Sequence, residues 1–387
     1  MRIGIDARFY GKAGPGRYTK NIVKHLEKVD NSNDYFIFLK KDGFEQYNPE
    51  NNKFIKILSD YPWYSFAEQT KFLLLLLRYK LDLFYVPHFN IPVLYPGRIV
   101  TAIPDMTMHT YSTQRGTTLP IWYFKIKKIV YKFVFWLAVA RSFKVIVPSQ
   151  NVISDFLKNL KFKQSKYVLA YEGVDPDFFT KEENPRMILD KYKIKTPFIL
   201  SVGSMYEHKN VEGLIEAYKI LKIKHGYKGQ LVLVSKKDKF SQRIYEMIKS
   251  QKLDEDILVL AYRLKGVSSD IVVSDKEITA LRQCAQVYSM AAFKEGFSLT
   301  ALEAMVCGLP AALSDIDCHH EVYDDSVLYF DPYDPQDIAD KINILLTDED
   351  IRKILIAKGY EQIKKYDWLN TAKITLSVFI EAVKQTN

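Results

Sequence analysis

Short apolar runs recur along this chain, each followed by a longer stretch with helical spacing, and that alternation leaves few folds open. In the first half the runs are Arg2–Asp6, Tyr35–Leu39, Leu81–Val86, Ile99–Ile103, Lys144–Pro148 and Tyr167–Tyr171. In the second half they are Phe198–Val202, Leu231–Ser235, Ile257–Leu260, Val287–Met290, Ala311–Ser314 and Val327–Phe330. Many are continuously apolar rather than alternating, which marks parallel strands buried on both faces. The intervening patterns predict helices near 16–29, 63–79, 117–140 and 150–160, and then near 211–224, 240–252, 275–284, 299–307, 336–346, 349–365 and 368–384. Strand–helix alternation of this kind builds doubly wound α/β domains. About six strands on each side of residue 180 match two Rossmann-like domains better than one large sheet. The polar stretch Glu172–Pro197, with Lys181-Glu182-Glu183-Asn184-Pro185, reads as the linker.

Composition narrows the setting. Cys284, Cys307 and Cys318 form neither a disulfide framework nor a zinc-ligand pattern, so reduced thiols and a cytoplasmic location are expected. The opening Met1-Arg2-Ile3-Gly4-Ile5-Asp6 does not read as a signal peptide, and apolar runs such as Phe72 to Leu77 are too short to span a bilayer. Residues 1–180 carry 26 Lys and Arg against 15 Asp and Glu, whereas the remainder nearly balances. Such asymmetry points the first half toward an anionic partner, with simple solubility as the other reading. The segment Trp122-Tyr123-Phe124-Lys125-Ile126-Lys127-Lys128-Ile129-Val130-Tyr131-Lys132-Phe133 suits an anionic lipid surface. A buried helix with one basic face fits the same letters. Nothing suggests nucleic acid as a partner.

Ligands of open parallel sheets bind beyond the carboxyl ends of the strands. Three segments offer chemistry there. After the first strand comes Gly11-Lys12-Ala13-Gly14-Pro15-Gly16-Arg17-Tyr18, which leads into a helix. It lacks the third glycine of a dinucleotide fingerprint, since position 19 is Thr19, and no Walker lysine motif appears. The second segment, Val202-Gly203-Ser204-Met205-Tyr206-Glu207-His208-Lys209-Asn210, places Lys209 at a helix start, where the macrodipole disfavours a cation unless an anion lies beside it. The third is Phe293-Lys294-Glu295-Gly296-Phe297-Ser298-Leu299-Thr300-Ala301-Leu302-Glu303, closing with Gly308-Leu309-Pro310. Glu295 follows a buried strand, Ser298 or Thr300 is positioned to cap a helix, and Glu303 lies early in that helix. Carboxylates suit sugar hydroxyls and free N–H groups suit phosphates. A sugar joined to a phosphate matches both.

These segments resemble the retaining, nucleotide-sugar-dependent glycosyltransferases of the GT-B fold, in the large family numbered four. Arg2-Ile3-Gly4-Ile5-Asp6-Ala7-Arg8 with Gly14-Pro15-Gly16-Arg17-Tyr18 is similar to that family's opening. Gly203–Asn210 resembles its glycine–lysine loop, and Glu295–Pro310 its paired-glutamate motif. Asp331-Pro332-Tyr333-Asp334-Pro335 and Tyr366-Asp367-Trp368 are similar to its tail. The resemblance implies a first domain over 1–175 plus 368–387, a nucleotide-sugar domain over 176–367, and a cleft between them. It implies Glu303 on the donor ribose and Glu295 on the sugar hydroxyls. The backbone of Gly296, Phe297, Ser298, Leu299 and Thr300 would face the sugar and diphosphate. Lys209 would neutralise the leaving diphosphate, with Gly203 beside it and Gly14 and Gly16 approaching from the first domain. Arg17, Tyr18 and His88 would lie on the acceptor side.

Three departures stand out. His208 occupies the place of the family's frequent Arg, for which Arg263 is a distant substitute. Pro104-Asp105 replaces its His-Asp, making Asp105 the candidate base or merely the cap of the next turn. Ser298 and Thr300 replace its Gly and Pro. His88, His319 and His320 read more readily as structural than as catalytic. The expected reaction is transfer of a hexose, mannose-like or glucose-like, from a GDP- or UDP-sugar to a glycan or lipid-linked hydroxyl, with retention. Neither metal nor cofactor is expected. A silent nucleotide-sugar or glycan-binding protein and a sugar-nucleotide epimerase are the competing readings.

Overall fold

The computed structural model describes residues 1–11, 13–110, 121–175, 178, 182, 184–264 and 273–385. Lys12, Lys181 and Glu183, named above, lie outside the described residues, as do the side chains of Trp122, Tyr123 and Phe124.

The chain divides into two compact units. The first takes Met1–Thr110, Thr117–Gly173 and Asp367–Asn387, and the body of the second is Val174–Tyr366. The first holds a sheet of seven parallel strands: β1 (Arg2–Asp6), β2 (Asp34–Leu39), β3 (Phe54–Leu58), β4 (Leu83–Val86), β5 (Ile99–Ala102), β6 (Ser142–Val147) and β7 (Tyr167–Leu169). Their spatial order is 3-2-1-4-5-6-7. The second holds six: β8 (Phe198–Val202), β9 (Gln230–Val234), β10 (Ile257–Val259), β11 (Val287–Met290), β12 (Ala311–Ser314) and β13 (Leu328–Phe330), in the order 10-9-8-11-12-13. Both sheets therefore reverse direction once, between β1 and β4 and between β8 and β11. The crevice outside the carboxyl ends of those two strands is where a doubly wound sheet binds its ligand.

The central strands are apolar because helices cover both faces. All of β4 and β11 is buried, and β1 is buried after Arg2. One strand, β3, was not expected from the sequence. Its Phe54-Ile55-Lys56-Ile57-Leu58 lies at the sheet edge, and Ile55 and Leu58 are exposed, so it lacks the continuous burial of the others. Four short helices among the described residues were not expected from the spacing: Lys41–Gln46, Thr107–Thr110, Pro185–Tyr192 and Asp317–Tyr323. The helix expected over 63–79 is two pieces, a π-helical turn at Glu68–Phe72 followed by Leu73–Arg78.

The terminal helix Trp368–Lys384 packs on the first unit. Trp368 is fully buried, the Tyr18 ring stands edge-on to it, and Phe379 meets Tyr85. Thr371 Oγ1 donates to the Tyr171 carbonyl at 2.5 Å. No helix among the described residues is long and apolar enough to cross a membrane.

Candidate active site

In the second unit the loops after β8 and β11 meet at the reversal of strand order. The Phe293 N–H donates to the His208 carbonyl at 2.8 Å and ties the two loops together. Lys209 ends a short 3₁₀ turn, Glu207–Lys209, and Asn210 then caps helix Val211–Lys224 through its side chain. The anion beside Lys209 is the carboxylate of Glu295: Nζ of Lys209 donates to Oε1 of Glu295, and both side chains are mostly buried. A crevice lined by Gly203, Ser204, Met205, Lys209 and Met290 opens there. A Cβ built on Gly203 meets nothing within 4 Å, so the backbone is open to a ligand.

The third segment folds as a strand, a loop and helix Leu299–Val306. Ser298 occupies the N-cap position with left-handed backbone angles, φ 69° and ψ 69°, but its hydroxyl makes no capping bond. Thr300 does not cap the helix either; its Oγ1 accepts from the Tyr288 hydroxyl at 2.8 Å. The expected side-chain cap is therefore replaced by a hold on the backbone, in which the Tyr323 hydroxyl donates to the Ser298 carbonyl. Phe297 is buried with its ring edge-on to Tyr366. This leaves the positive end of a helix dipole immediately after Glu295-Gly296.

Glu303 is placed differently from the expectation. It is not an open carboxylate beside Glu295; it is 2% exposed, and Nη2 of Arg282 donates to its Oε2. Arg282, on helix Asp275–Cys284, is itself 1% exposed and lies over the Phe178 ring at 5.1 Å. Its Nε and Nη1 have no hydrogen-bond partner among the described residues. Two buried opposite charges with donors left over form a polar core under the motif, and removing either partner strands the other. Arg282 does not stand out in the sequence as a site residue. Its signal was an arginine on the apolar face set by Ile278 and Leu281, four and one residues before it.

His208 does not replace the family's arginine charge. Burial and the neighbouring Lys209 push its pKa down to about 4, so it is neutral at physiological pH. Arg263 hydrogen-bonds the Tyr192 carbonyl at 3.4 Å and is committed there. His319 is wholly buried, donates Nδ1–H to the Ser314 carbonyl at 2.8 Å, and has its pKa lowered to about 3 by burial. His320 pairs with Asp315 on the surface.

The remaining candidates belong to the first unit. Helix Ala13–Val29 starts earlier than expected, so Gly14 and Gly16 sit in its first turn rather than in a loop. Gly14 is exposed with open space at its Cβ position. Gly16 is required by the chain itself: a Cβ there would lie 2.1 Å from the Phe9 carbonyl oxygen. Arg17 is half-buried. Tyr18 is not an acceptor residue; its ring packs on Trp368 and its hydroxyl pairs with that of Tyr85 at 2.9 Å, inside the core. Asp105, two residues before helix Thr107–Thr110, accepts the Thr107 N–H at 2.7 Å. Its charge and that of Asp6 both bear on His88, which follows β4 at the reversal point of the first sheet.

Comparison with known proteins fits this geometry. Residues 188–362 match the family described as glycosyl transferases group 1. O-antigen chain mannosyltransferase B of Escherichia coli is 28% identical over 193 residues, 50% of this chain and 48% of that protein. Serotype-specific mannosyltransferase WbdA of Escherichia coli is 30% identical over 250 residues, 64% of this chain and 30% of that protein. The chain thus spans about half, or less, of the length of these curated relatives. The crystal structure of Anabaena HepE in complex with UDP and glucose has a TM-score of 0.73 at 14% identity, over 98% of this chain and 100% of that one, and shows the shared fold. Lys209 and Glu295, which meet at the switch point of a six-stranded parallel sheet, fall within the stretch that matches the glycosyl transferases group 1 family, and the chain as a whole has the two-domain GT-B fold.

Proposed function

We propose that the chain is a retaining hexosyltransferase that moves a mannose-like or glucose-like sugar from a GDP- or UDP-sugar to a hydroxyl of a glycan or lipid-linked acceptor in cell-surface polysaccharide synthesis. The observation that carries this reading is the Lys209–Glu295 pair at the switch point of the second sheet. Each holds the other's charge before donor arrives. A diphosphate entering the crevice takes Lys209 Nζ as its counter-ion, which releases the Glu295 carboxylate to accept from sugar hydroxyls. As the glycosidic bond breaks, negative charge grows on the leaving phosphate. Lys209 and the dipole of helix Leu299–Val306 are already in place to stabilise it. This scheme asks no metal or cofactor of the protein. Glu303, held by Arg282, is assigned to the ribose hydroxyls, and Asp105 to the acceptor proton.

The acceptor side of the reading draws on helix Ile121–Arg141. Its sequence permitted a buried helix with one basic face, but Ile129 is 69% exposed, and Ile126, Val130, Phe133 and Trp136 are exposed as well. Lys125, Lys127 and Lys132 are exposed among them. An apolar stripe bordered by lysines suits an anionic lipid surface, where a lipid-linked acceptor resides, and so a peripheral place on the cytoplasmic face of a membrane.

Turnover of GDP-mannose, UDP-glucose and related donors is the direct test, run with and without EDTA. Hydrolysis or transfer that survives EDTA and is lost in Lys209→Ala supports the scheme. Nucleotide binding without turnover of any donor would instead make the chain a binding protein. Activity that EDTA abolishes and Mn²⁺ restores would overturn the metal-free part.

A further inference from the structure

Helix Leu299–Val306 begins without the usual fastening. It has only 8 residues, too few to be stable by itself. The N–H groups of a first turn have no partner inside a helix, and an N-cap hydroxyl ordinarily takes one of them. Ser298 stands at that position, yet its hydroxyl makes no capping bond and donates weakly to the Met290 sulfur at 3.8 Å instead. Its left-handed backbone, with φ at 69°, is costly for a residue that carries a Cβ. Such a turn persists only where its surroundings hold it.

Two tyrosines do the holding. Tyr323 ends helix Asp317–Tyr323, is fully buried, and donates its hydroxyl to the Ser298 carbonyl. The His319 ring stands edge-on to it, centroids 5.4 Å apart, and sets its direction. Tyr288, in β11, is equally buried. Its hydroxyl donates to Thr300 Oγ1 at 2.8 Å and lies 3.3 Å from the Val202 carbonyl. Val202 ends β8 just before Gly203, so one hydroxyl touches both the β8 loop and the second residue of the helix. Burial raises the pKa of both phenols, and each keeps the proton it donates. Every one of these bonds falls on a carbonyl or a hydroxyl, and none is made to an N–H of the helix's first turn.

We infer that Tyr288 and Tyr323 are positioning residues, whose hydroxyls fix the start of helix Leu299–Val306 in place of a side-chain cap and so leave its N–H groups for the diphosphate of the donor. The inference rests on the reading of the chain as a nucleotide-sugar transferase. A capping Ser, Thr or Asp secures a helix by occupying an N–H that an anion would otherwise take. A phenol on the carbonyl side secures the same turn and occupies none. N–H groups held in advance stabilise growing charge well, because they need not reorient as it forms. The contact of Tyr288 with Val202 adds a second effect. It sets the helix start against the β8 loop that leads to Lys209, so amides and cation keep a fixed spacing. Neither tyrosine lines the crevice beside Lys209, and both act through the backbone they hold.

The test is calorimetry with GDP and UDP, beside saturation-transfer NMR with guanosine and uridine, on the whole chain and on variants that remove only the hydroxyls. Tyr288→Phe and Tyr323→Phe are each expected to weaken the bound diphosphate about fivefold, the scale of one lost hydrogen bond. Affinity for the nucleoside, which carries no phosphate, stays as in the wild type. Thr300→Val removes the Tyr288 bond from its other end and should weaken the diphosphate as well, and combining it with Tyr288→Phe should cost no more than Tyr288→Phe by itself. If a tyrosine variant fails to fold, Thr300→Val decides the matter. Unchanged diphosphate affinity in these variants overturns the inference. So does an equal loss of nucleoside and diphosphate, which would leave the tyrosines holding the fold and nothing more, and so does an additive loss in the double variant. Wild-type protein that binds neither diphosphate sinks the transferase reading and takes the inference with it, whereas wild-type binding that the variants leave untouched sinks the inference alone.

Discussion

Lys209, Glu295, Glu303 and Arg282 form two ion pairs with different solvent contact, and the difference predicts different mutant behaviour. Lys209 keeps some exposure, and in the proposed scheme a donor displaces the carboxylate it meets. Lys209→Ala should therefore fold normally and lose on the order of 10²- to 10³-fold in kcat/KM, the scale of losing one charge-stabilising donor; stopped donor-turnover assays measure it, and a loss below tenfold would remove Lys209 from the chemistry. Arg282 and Glu303 are buried together. Arg282→Met leaves an unpaired carboxylate in the interior, and a destabilisation of about 3–5 kcal/mol is expected in urea unfolding. The double variant Arg282→Met with Glu303→Gln should recover part of that loss. Histidines give a pH signature. His319 is held neutral with its pKa near 3, so between the unfolded value of about 6.5 and that folded value the unfolded chain takes a proton that the native chain refuses. Stability contributed at neutral pH is thus lost as pH falls through this window, by up to about 1.4 kcal/mol per pH unit. Unfolding at pH 7, 6 and 5 should show a steeper decline in wild type than in His319→Gln; equal slopes would mean that the histidine titrates freely.

At the level of elements, legibility followed burial. Strands covered on both faces announce themselves as apolar runs, and those runs were read within about a residue or two of their positions. The edge strand Phe54–Leu58 did not, because its exposed Ile55 and Leu58 interleave with Lys56. The paired-glutamate segment was legible as chemistry because a strand, Gly296 and a helix signal surround it, and Lys209 because a cation at a helix start needs an anion. The identity of that anion, Glu295, lies 86 residues away and is set by tertiary structure alone. Arg282 escaped for the same reason, since nothing local shows that its helix face lies against Glu303. Tyr18 was misread because its partner, Trp368, returns from far along the chain. Helix Ile121–Arg141 allowed two readings, and the exposure of Ile129 and Phe133 is the observation that supports the lipid one. The lipid reading predicts that the chain sediments with vesicles containing anionic lipid and is released by salt. Replacing Lys125, Lys127, Lys128 and Lys132 by Gln should abolish sedimentation with melting unchanged, and sedimentation equal to wild type would free the helix of this role.

The whole molecule is two folding units on one chain, and they should be separable by calorimetry. A nucleotide bound only by the second unit at 100 times its Kd adds about 2.7 kcal/mol to that unit, so saturating GDP or UDP is expected to move one thermal transition and leave the other. Trp368 is buried in the first unit. Trp368→Ala should cost about 3–5 kcal/mol and lower the transition that nucleotide does not move; a drop in the nucleotide-sensitive transition would contradict the assignment of the terminal helix. That helix has a consequence for how the protein is made. The first unit is a discontinuous domain: Gly173, with no room for a Cβ against the Trp368 backbone, ends its long stretch, and Asp367 resumes it. The Val174 N–H donates to the Tyr366 carbonyl at 3.3 Å, so the second unit begins and ends at neighbouring points, like an insertion. On the ribosome, then, the usual order of first-made, first-folded is reversed. The seven-stranded sheet emerges early but waits with the groove for Trp368 and Phe379 open, while the second unit, made later, is complete before it. Nascent chains that carry an unrelated linker after Tyr366, long enough to clear the ribosomal tunnel, should have a protease-resistant second unit and still be cleaved within residues 1–173.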